Sequence, residues 1–346
     1  MKAKVYDFSL TLTWEILGII SRIDRFDASW ASIERLGGNL RELRQIATIQ
    51  SVGASTRIEG SKMSDEEVAK LLDNIGFSKI EDRDSQEVVG YFNILDTIVD
   101  SFDALVISES NIKNIHNQLL KYSSKDSWHR GDYKQHTNAV EASFPDGSKR
   151  IIFRTTDPGF ATEDAMRRLI DWYSMETEVH PLITCAALVY EFVSIHPFQD
   201  GNGRLSRLLT TLSLLQKGYN WIQYVSFEHE IENRKKEYYI SLRTCQSQRP
   251  NEDITEWIEF FLKSLLNVQS KLEQKLAVSE QQSNLSTKEK MIYSYILNHP
   301  GCKSSEVVAE LNITKPTVKR VLSDLIDKKL IVRYGRGAGI TYTATQ

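Results

Sequence analysis

Twelve consecutive residues carry the side chains best suited to chemistry on a phosphate: His196-Pro197-Phe198-Gln199-Asp200-Gly201-Asn202-Gly203-Arg204-Leu205-Ser206-Arg207. The imidazole of His196 titrates near neutral pH, so it can take a proton from a hydroxyl. Asp200 supplies one carboxylate, and a Mg²⁺ that bridges phosphates is held by only one or two such groups. Gly201 and Gly203 let the backbone come close to an anion. A turn that runs into a helix start directs N–H groups and the positive end of the helix dipole at that anion. Arg204 and Arg207 lie three residues apart on one helix face, and guanidinium forks match phosphate oxygens. No Gly-Lys-Ser/Thr follows, so the segment is not a Walker A loop and the nucleotide site is of another kind.

These residues need rigid supports, and the apolar spacing predicts helices on both sides of them. Leu182–Ile195 precedes the turn and Leu205–Lys217 follows it. Helical spacing also runs through Trp14, Leu17, Ile20 and Ile23; through Leu36, Leu40, Leu43 and Ile46; and through Val88, Phe92, Leu95 and Ile98. Further helices are predicted at Thr162–Ser174, Glu230–Ser247 and Ile254–Leu276. Between Asn138 and Thr155 two extended runs flank Phe144-Pro145-Asp146-Gly147, and Asp-Gly is a hairpin signal. The expectation is a single β-hairpin in an otherwise helical body.

Polar residues Ser279–Ser286 read as a linker, and the character of the chain changes beyond them. Lys288–Leu297, Ser304–Leu311 (capped by Ser304 or Ser305) and Thr314–Asp327 (capped by Thr314, with Pro316 in its first turn) read as three helices. Strand-like runs Leu330–Tyr334 and Ile340–Thr343 flank Gly335-Arg336-Gly337-Ala338-Gly339. Three helices and a glycine-tipped hairpin make a winged helix-turn-helix pattern.

The chain has 346 residues, room for two or three domains, and its apolar content of 41% supports buried cores. Its formal net charge of −3 is unevenly spread. Residues 286–346 hold ten Lys and Arg against five Asp and Glu, which leaves the rest acidic. A basic module on an acidic body points to an anionic partner for that module. Cys185, Cys245 and Cys302 are far apart and odd in number, which fits reduced thiols rather than a disulfide framework or a zinc site. The first residues lack the apolar run of a signal peptide, and no stretch approaches the ~20 apolar residues of a membrane span. The expectation is a cytoplasmic protein without a membrane partner.

The motif resembles the signature of the Fic (filamentation induced by cAMP) family, His-x-Phe-x-[Asp/Glu]-Gly-Asn-Gly-Arg-x-x-Arg, at every fixed position. The resemblance implies a mainly α fold: a Fic-type helical core with a β-hairpin flap, here followed by the C-terminal winged helix-turn-helix. It implies transfer of AMP from ATP to a Ser, Thr or Tyr hydroxyl of a protein, with Mg²⁺. By position, His196 resembles the base and Asp200 the metal ligand. Gly201, Asn202 and Gly203 resemble the hole for the α-phosphate, and Arg204 and Arg207 the clamps for the β- and γ-phosphates. Leu205 and Ser206 fall inside the same nucleotide-binding run. Tyr238 and Tyr239 resemble a Tyr-Tyr pair placed near the base. The hairpin resembles a flap whose edge pairs with an extended target segment.

Ser55-Thr56-Arg57-Ile58-Glu59-Gly60 resembles the family's inhibitory pattern [Ser/Thr]-x-x-x-Glu-[Gly/Asn], carried at Ser55, Glu59 and Gly60. Glu59 is then expected to pair with Arg207 and misalign ATP. The organisation expected is an N-terminal helical region with the inhibitory helix at 1–105, a catalytic core at 106–278, a linker at 279–285 and the winged helix at 286–346. Other readings stand beside this one. The same site can remove AMP, with Glu59 positioning a water, or can transfer the γ-phosphate as a kinase does. The winged helix can also make the chain a DNA-binding regulator with the core as sensor. In that case Lys315, Thr317, Lys319 and Arg320 would face DNA, and Arg333 and Arg336 its phosphates. Protein contacts or packing in a homodimer are the competing uses of the same module.

Overall fold

The computed structural model describes residues 2–35, 40–75, 80–143, 149–283 and 285–345. By its contacts the chain divides into two compact units, Met1–Ser270 and Lys271–Gln346. The first unit opens with an antiparallel pair, β1 (Lys2–Val5) and β2 (Phe8–Thr11), followed by α1 (Trp14–Arg35), α2 (Leu40–Ile58), α3 (Asp65–Asp73), α4 (Arg83–Ser101) and α5 (Glu109–Leu119). The second antiparallel pair, β3 (Ala139–Ser143) and β4 (Lys149–Arg154), comes next. After it run α6 (Phe160–Met175), α7 (Pro181–Ile195), α8 (Asn202–Gln216), α9 (Phe227–Asn233), α10 (Lys235–Gln246) and α11 (Thr255–Ser283), whose residues from Lys271 on count in the second unit. In α7 every residue but Pro181 and Val193 is buried, and in α8 every residue but Gly203 and Gln216. Helices buried on all sides form the centre of a core; these two pack on each other, and α2, α4, α5 and α6 surround them.

The structure corrects several expectations. The hairpin at 139–154 has company, because β1 and β2 form another. It is held by Ser9, whose N–H donates to the Glu252 carbonyl and whose carbonyl accepts from Ile254 N–H. Its turn uses Tyr6 at φ +54° in place of glycine or asparagine, so it lacks the usual signal. The helix expected over Glu230–Ser247 is two helices, broken at Arg234, where φ −112° and ψ 28° leave the helical region. The linker expected at Ser279–Ser286 is helical through Ser283, since no glycine or proline interrupts α11 there. The expected tip Phe144-Pro145-Asp146-Gly147 and Leu36 of the second helical run lie outside the described residues.

In the second unit α12 (Thr287–Asn298), α13 (Ser304–Leu311) and α14 (Lys315–Asp327) pack with a two-stranded antiparallel pair, β5 (Ile331–Tyr334) and β6 (Thr341–Ala344). Ile292, Ile296, Val307, Val318, Leu322 and Leu325 belong to its core. Ser286 starts α12 with a reciprocal cap: its Oγ accepts from Glu289 N–H, and the Glu289 carboxylate accepts from Ser286 N–H. At α13 the cap position falls on Lys303 rather than on Ser304 or Ser305. At α14 Thr314 holds the cap position, but its hydroxyl meets Thr317 instead of the backbone. No helix among the described residues is long and apolar enough to cross a membrane.

Candidate functional site

α7 ends at Ile195 because His196 turns into the left-handed region, φ 54° and ψ 61°, while its N–H still donates to the Phe192 carbonyl. Such a conformation is uncommon for a residue with a Cβ. The imidazole Nδ1 lies 3.2 Å from the Val193 carbonyl oxygen. That oxygen can only accept, so Nδ1 carries the proton and Nε2 is left as the acceptor. Burial pushes the imidazolium down to about 4, with the Lys134 ammonium acting in the same direction. The ring is therefore neutral at physiological pH.

The turn that follows is tied by Asn202. Its Oδ1 accepts from Phe198 N–H at 2.9 Å and its Nδ2 donates to the Phe198 carbonyl at 2.7 Å. Gly201 takes φ +80° at the cap position of α8, and its N–H donates to Asp200 Oδ1 at 2.6 Å. The first-turn N–H groups of α8 have no carbonyl four residues back in the helix, which makes this end an anion site. A carboxylate already stands there: a Cβ on Gly203 would lie 2.3 Å from Glu59 Oε1, so glycine is needed for that approach.

Glu59 reaches this point from the end of α2. Ser61 N–H donates to the Thr56 carbonyl and Gly60 N–H to the Arg57 carbonyl, with Gly60 at φ +108°. This is a Schellman cap, which needs glycine at the left-handed position and makes Glu59 the last residue before the turn. Glu59 Oε1 accepts from Arg207 Nη2 at 2.8 Å. Two further bonds run from that guanidinium to α2: Nε donates to Ser55 Oγ at 2.8 Å and Nη2 to the Ser55 carbonyl at 3.0 Å. Burial acts to raise the Glu59 carboxyl, but the Arg207 charge and hydrogen bond outweigh it and hold the group below its usual range. Arg57 anchors the same turn. Its fork grips Glu232 of α9 at 2.7 and 2.9 Å, and its Nη1 reaches Asp65 at 2.8 Å and the Met63 carbonyl at 3.0 Å. Lys235 Nζ donates to the Ile58 carbonyl at 2.7 Å.

Arg204 points elsewhere. It is buried between Glu87 and Asp200, 3.6 Å from each carboxylate, and its Nε and Nη1 have no hydrogen-bond partner. Burial would raise Asp200, but Arg204, the Gly201 N–H, Lys125 and Arg83 together hold it low. Its Oδ2 faces Lys125 Nζ at 3.8 Å, and the side chain is 42% exposed. One ionised, accessible carboxylate beside an anion site fits Mg²⁺, which keeps waters and takes phosphate oxygens; it does not fit a cage built from protein ligands alone. No cluster of three or more His, Cys, Asp or Glu able to hold a metal occurs among the described residues.

These groups open on one cavity of about 230 Å³. Its lining brings together Glu59, His196, Asp200, Gly201, Asn202, Gly203, Arg207, Tyr238 and Tyr239, together with Gln199, Leu242, Arg243 and Gln246. Tyr238 is buried against Trp257 and Phe260, while Tyr239 is half-buried with the Arg243 guanidinium 5.7 Å from its ring centre. Five expected residues lie outside this lining: Ser55, the exposed Gly60, Arg204, and Leu205 and Ser206, whose side chains are buried in α8.

Sequence reasoning missed His116. Its Nδ1 accepts from Gly131 N–H at 2.9 Å, so Nε2 donates to the Asp200 carbonyl at 3.0 Å. Its ring stacks on Phe198 at 3.8 Å and lies 3.4 Å from where a Cβ on Gly201 would sit. It holds the turn from beneath, and nothing in its local sequence on α5 marks it.

Residues 106–214 match the model of the Fic/DOC family. Among curated proteins the chain is similar to "Protein adenylyltransferase Fic" of Culex quinquefasciatus, 28% identical over 57% of this chain and 38% of that protein. It is likewise similar to the protein of that name from Drosophila willistoni, 27% identical over 58% and 38%. The chain thus spans about two-fifths of the length of these relatives. Among solved structures, a Fic family protein from Desulfovibrio desulfuricans G20 shares the fold over 97% of both chains, with TM-score 0.64 and 23% identity. A Fic domain containing signaling protein from Bacteroides thetaiotaomicron covers 77% of this chain and is itself covered over 95%, with TM-score 0.54 and 22% identity.

Proposed function

We propose that this chain, built around its Fic/DOC-family segment, transfers AMP from ATP to a Ser, Thr or Tyr hydroxyl of a target protein, itself included, and that Glu59 restrains it. The observation that carries the reading is the meeting, in one cavity, of an unprotonated His196 Nε2, the start of α8 and an Arg207 fork occupied by Glu59. The target hydroxyl gives its proton to His196 Nε2 as its oxygen bonds to the α-phosphorus. The bond from that phosphorus to the bridging oxygen breaks, and pyrophosphate leaves. The N–H groups at Gly201–Gly203 face the charge that builds on the α-phosphate oxygens, with Asn202 fixing their turn. Arg207 is the γ-phosphate clamp once Glu59 lets go. Arg204, buried behind the lining between Glu87 and Asp200, orders Asp200. Asp200 would hold Mg²⁺, which when bound neutralises phosphate charge. Tyr239, backed by Tyr238, offers a face for the adenine. Incubation with ATP labelled at the α- or the γ-phosphate tests this: protein label from the α position alone supports AMP transfer, and label from the γ position replaces it with a kinase reading.

The restraint depends on where α2 ends, and Arg57 fixes that end. Arg57→Ala removes the grip on Glu232 and Asp65 without touching the cavity lining. Part-buried charged hydrogen bonds of this kind contribute about 1.5–3 kcal/mol. The variant is expected to raise self-modification several-fold while staying below Glu59→Gly, measured by the rate of AMP incorporation. A rate equal to wild type would remove Arg57 from this role.

A second reading is favoured by one surface of the second unit. Lys315, Lys319, Arg320, Arg333 and Arg336 are exposed, and none takes part in the described ion pairs, whereas Lys328 pairs with Glu289. A stripe of exposed cations on α14, on β5 and in the turn after β5 suits duplex DNA as a winged helix would engage it. The full chain is expected to bind duplex DNA with an affinity that falls as salt rises. Substituting glutamate at both Lys319 and Arg320 should weaken binding about tenfold or more at low salt. Fluorescence anisotropy reads both, and salt-independent or absent binding sinks the idea.

A further inference from the structure

The segment between α5 and the β3–β4 hairpin grips the turn that carries His196. Lys134 donates from its backbone N–H to the Pro197 carbonyl at 2.8 Å and from Nζ to the Ile195 carbonyl at 3.0 Å. Asn138 Nδ2 donates to the Phe198 carbonyl at 2.9 Å and lies 3.5 Å from the His196 carbonyl oxygen. Two residues therefore reach four successive carbonyls, 195 to 198, over the run where α7 stops and the chain turns left-handed. The last carbonyls of a helix otherwise lack partners.

Lys134 is an unusual group for this task. It is 2% exposed, and its remaining Nζ partners are neutral oxygens: Asn138 Oδ1 at 3.0 Å and Thr155 Oγ1 at 2.9 Å. A buried ammonium without a hydrogen-bonded carboxylate is costly, and burial pushes its pKa down to about 8. The two polar partners also define the base of the hairpin. Asn138 immediately precedes β3 and Thr155 immediately follows β4; the Thr155 hydroxyl hydrogen-bonds both the carbonyl and the side chain of Asn138. One buried cluster thus closes the hairpin and holds the turn.

We propose that Lys134 and Asn138 are positioning residues that hold His196 in its left-handed conformation and tie the aim of its imidazole to the base of the β3–β4 hairpin. The proposal rests on the reading of His196 as base.

The test uses the full chain in a Glu59→Gly background, with Lys134→Met, which keeps the stem and removes the ammonium, and with the less buried Asn138→Ala. Misplacing a reacting group by about 1 Å can cost ~100-fold. Both variants are expected to lose about tenfold or more in kcat while ATP affinity by calorimetry changes less than about threefold. The start of α8 is tied directly by Asn202 and His116, and this cluster meets that tie only at the Phe198 carbonyl. A parallel loss of kcat and ATP affinity overturns the proposal in favour of general loosening, as does an unchanged kcat. A second readout is independent of the reaction: ¹⁵N NMR of the His196 ring should show the Nδ1–H tautomer in the parent and a mixture in the variants. If the Glu59→Gly parent transfers no AMP, the functional reading falls, and the ring signals alone decide this one: unchanged signals sink it. If Lys134→Met fails to fold, Asn138→Ala carries the same outcomes.

Discussion

Glu59→Gly is expected to raise AMP incorporation by about 10- to 100-fold. The carboxylate holds Arg207 through a charged hydrogen bond of 2.8 Å and stands over Gly203 at the start of α8. A hydrogen bond of that class is worth about 1.5–3 kcal/mol, and about 1.4 kcal/mol is tenfold in rate. Two effects act together in the variant. Arg207, still held by Ser55, loses its carboxylate partner and can pair with the γ-phosphate, and the anion site loses the negative charge that repels a phosphate. Gly60 and the α2 cap remain, so the substitution acts on the carboxylate rather than on the helix. Mass spectrometry of the purified variant after incubation with ATP and Mg²⁺ should show a gain of one AMP and its site. Equal incorporation in wild type and variant would remove Glu59 as the restraint.

His196→Ala in the same background is expected to lower transfer by about 100-fold or more, since general-base loss costs about 10²–10⁴. ATP affinity should change little, because His196 meets neither Arg207 nor the α8 N–H groups. The pH profile of the Glu59→Gly parent follows from the same residue. The base works only when neutral, and burial lowers its pKa from the ordinary 6.5 to about 4. Activity should therefore persist through pH 6.5 and be lost only as pH falls toward 4. Glu59 acts to raise that pKa, so its removal does not shift the limb upward. A half-maximal point near 6.5 would show that His196 is solvated during turnover or is not the base.

The motif was legible because its chemistry is contiguous. His196, Asp200, Gly201, Asn202, Gly203 and Arg207 meet in one cavity because one turn and one helix start carry them all. Glu59 was legible by pattern alone, since nothing local says that α2 ends against α8. Spacing misled at Arg204: it and Arg207 share a helix face, yet buried Glu87 draws one guanidinium away while Ser55 and Glu59 draw the other. His116, Lys134 and Asn138 left no trace, because each acts on main-chain oxygens of a segment more than fifty residues away. Main-chain acceptors are the same at every residue, so no side-chain pattern records which of them will be met. The β1–β2 pair escaped for a related reason: its anchor is the backbone of 252–254.

Under the restraint proposed above, the position of Glu59 just past the end of α2 sets how the resting state leaks. Helix ends fray, and opening this one breaks three backbone hydrogen bonds, from the N–H groups of Glu59, Gly60 and Ser61, and the contacts of one carboxylate, while Val52, Ala54 and Ile58 stay packed. Release is then a local opening rather than a rearrangement of the fold. The basal rate of the resting protein becomes a thermometer of a single helical turn, rising with temperature and mild denaturant well before global unfolding. Any partner that captures the opened turn acts by keeping it open.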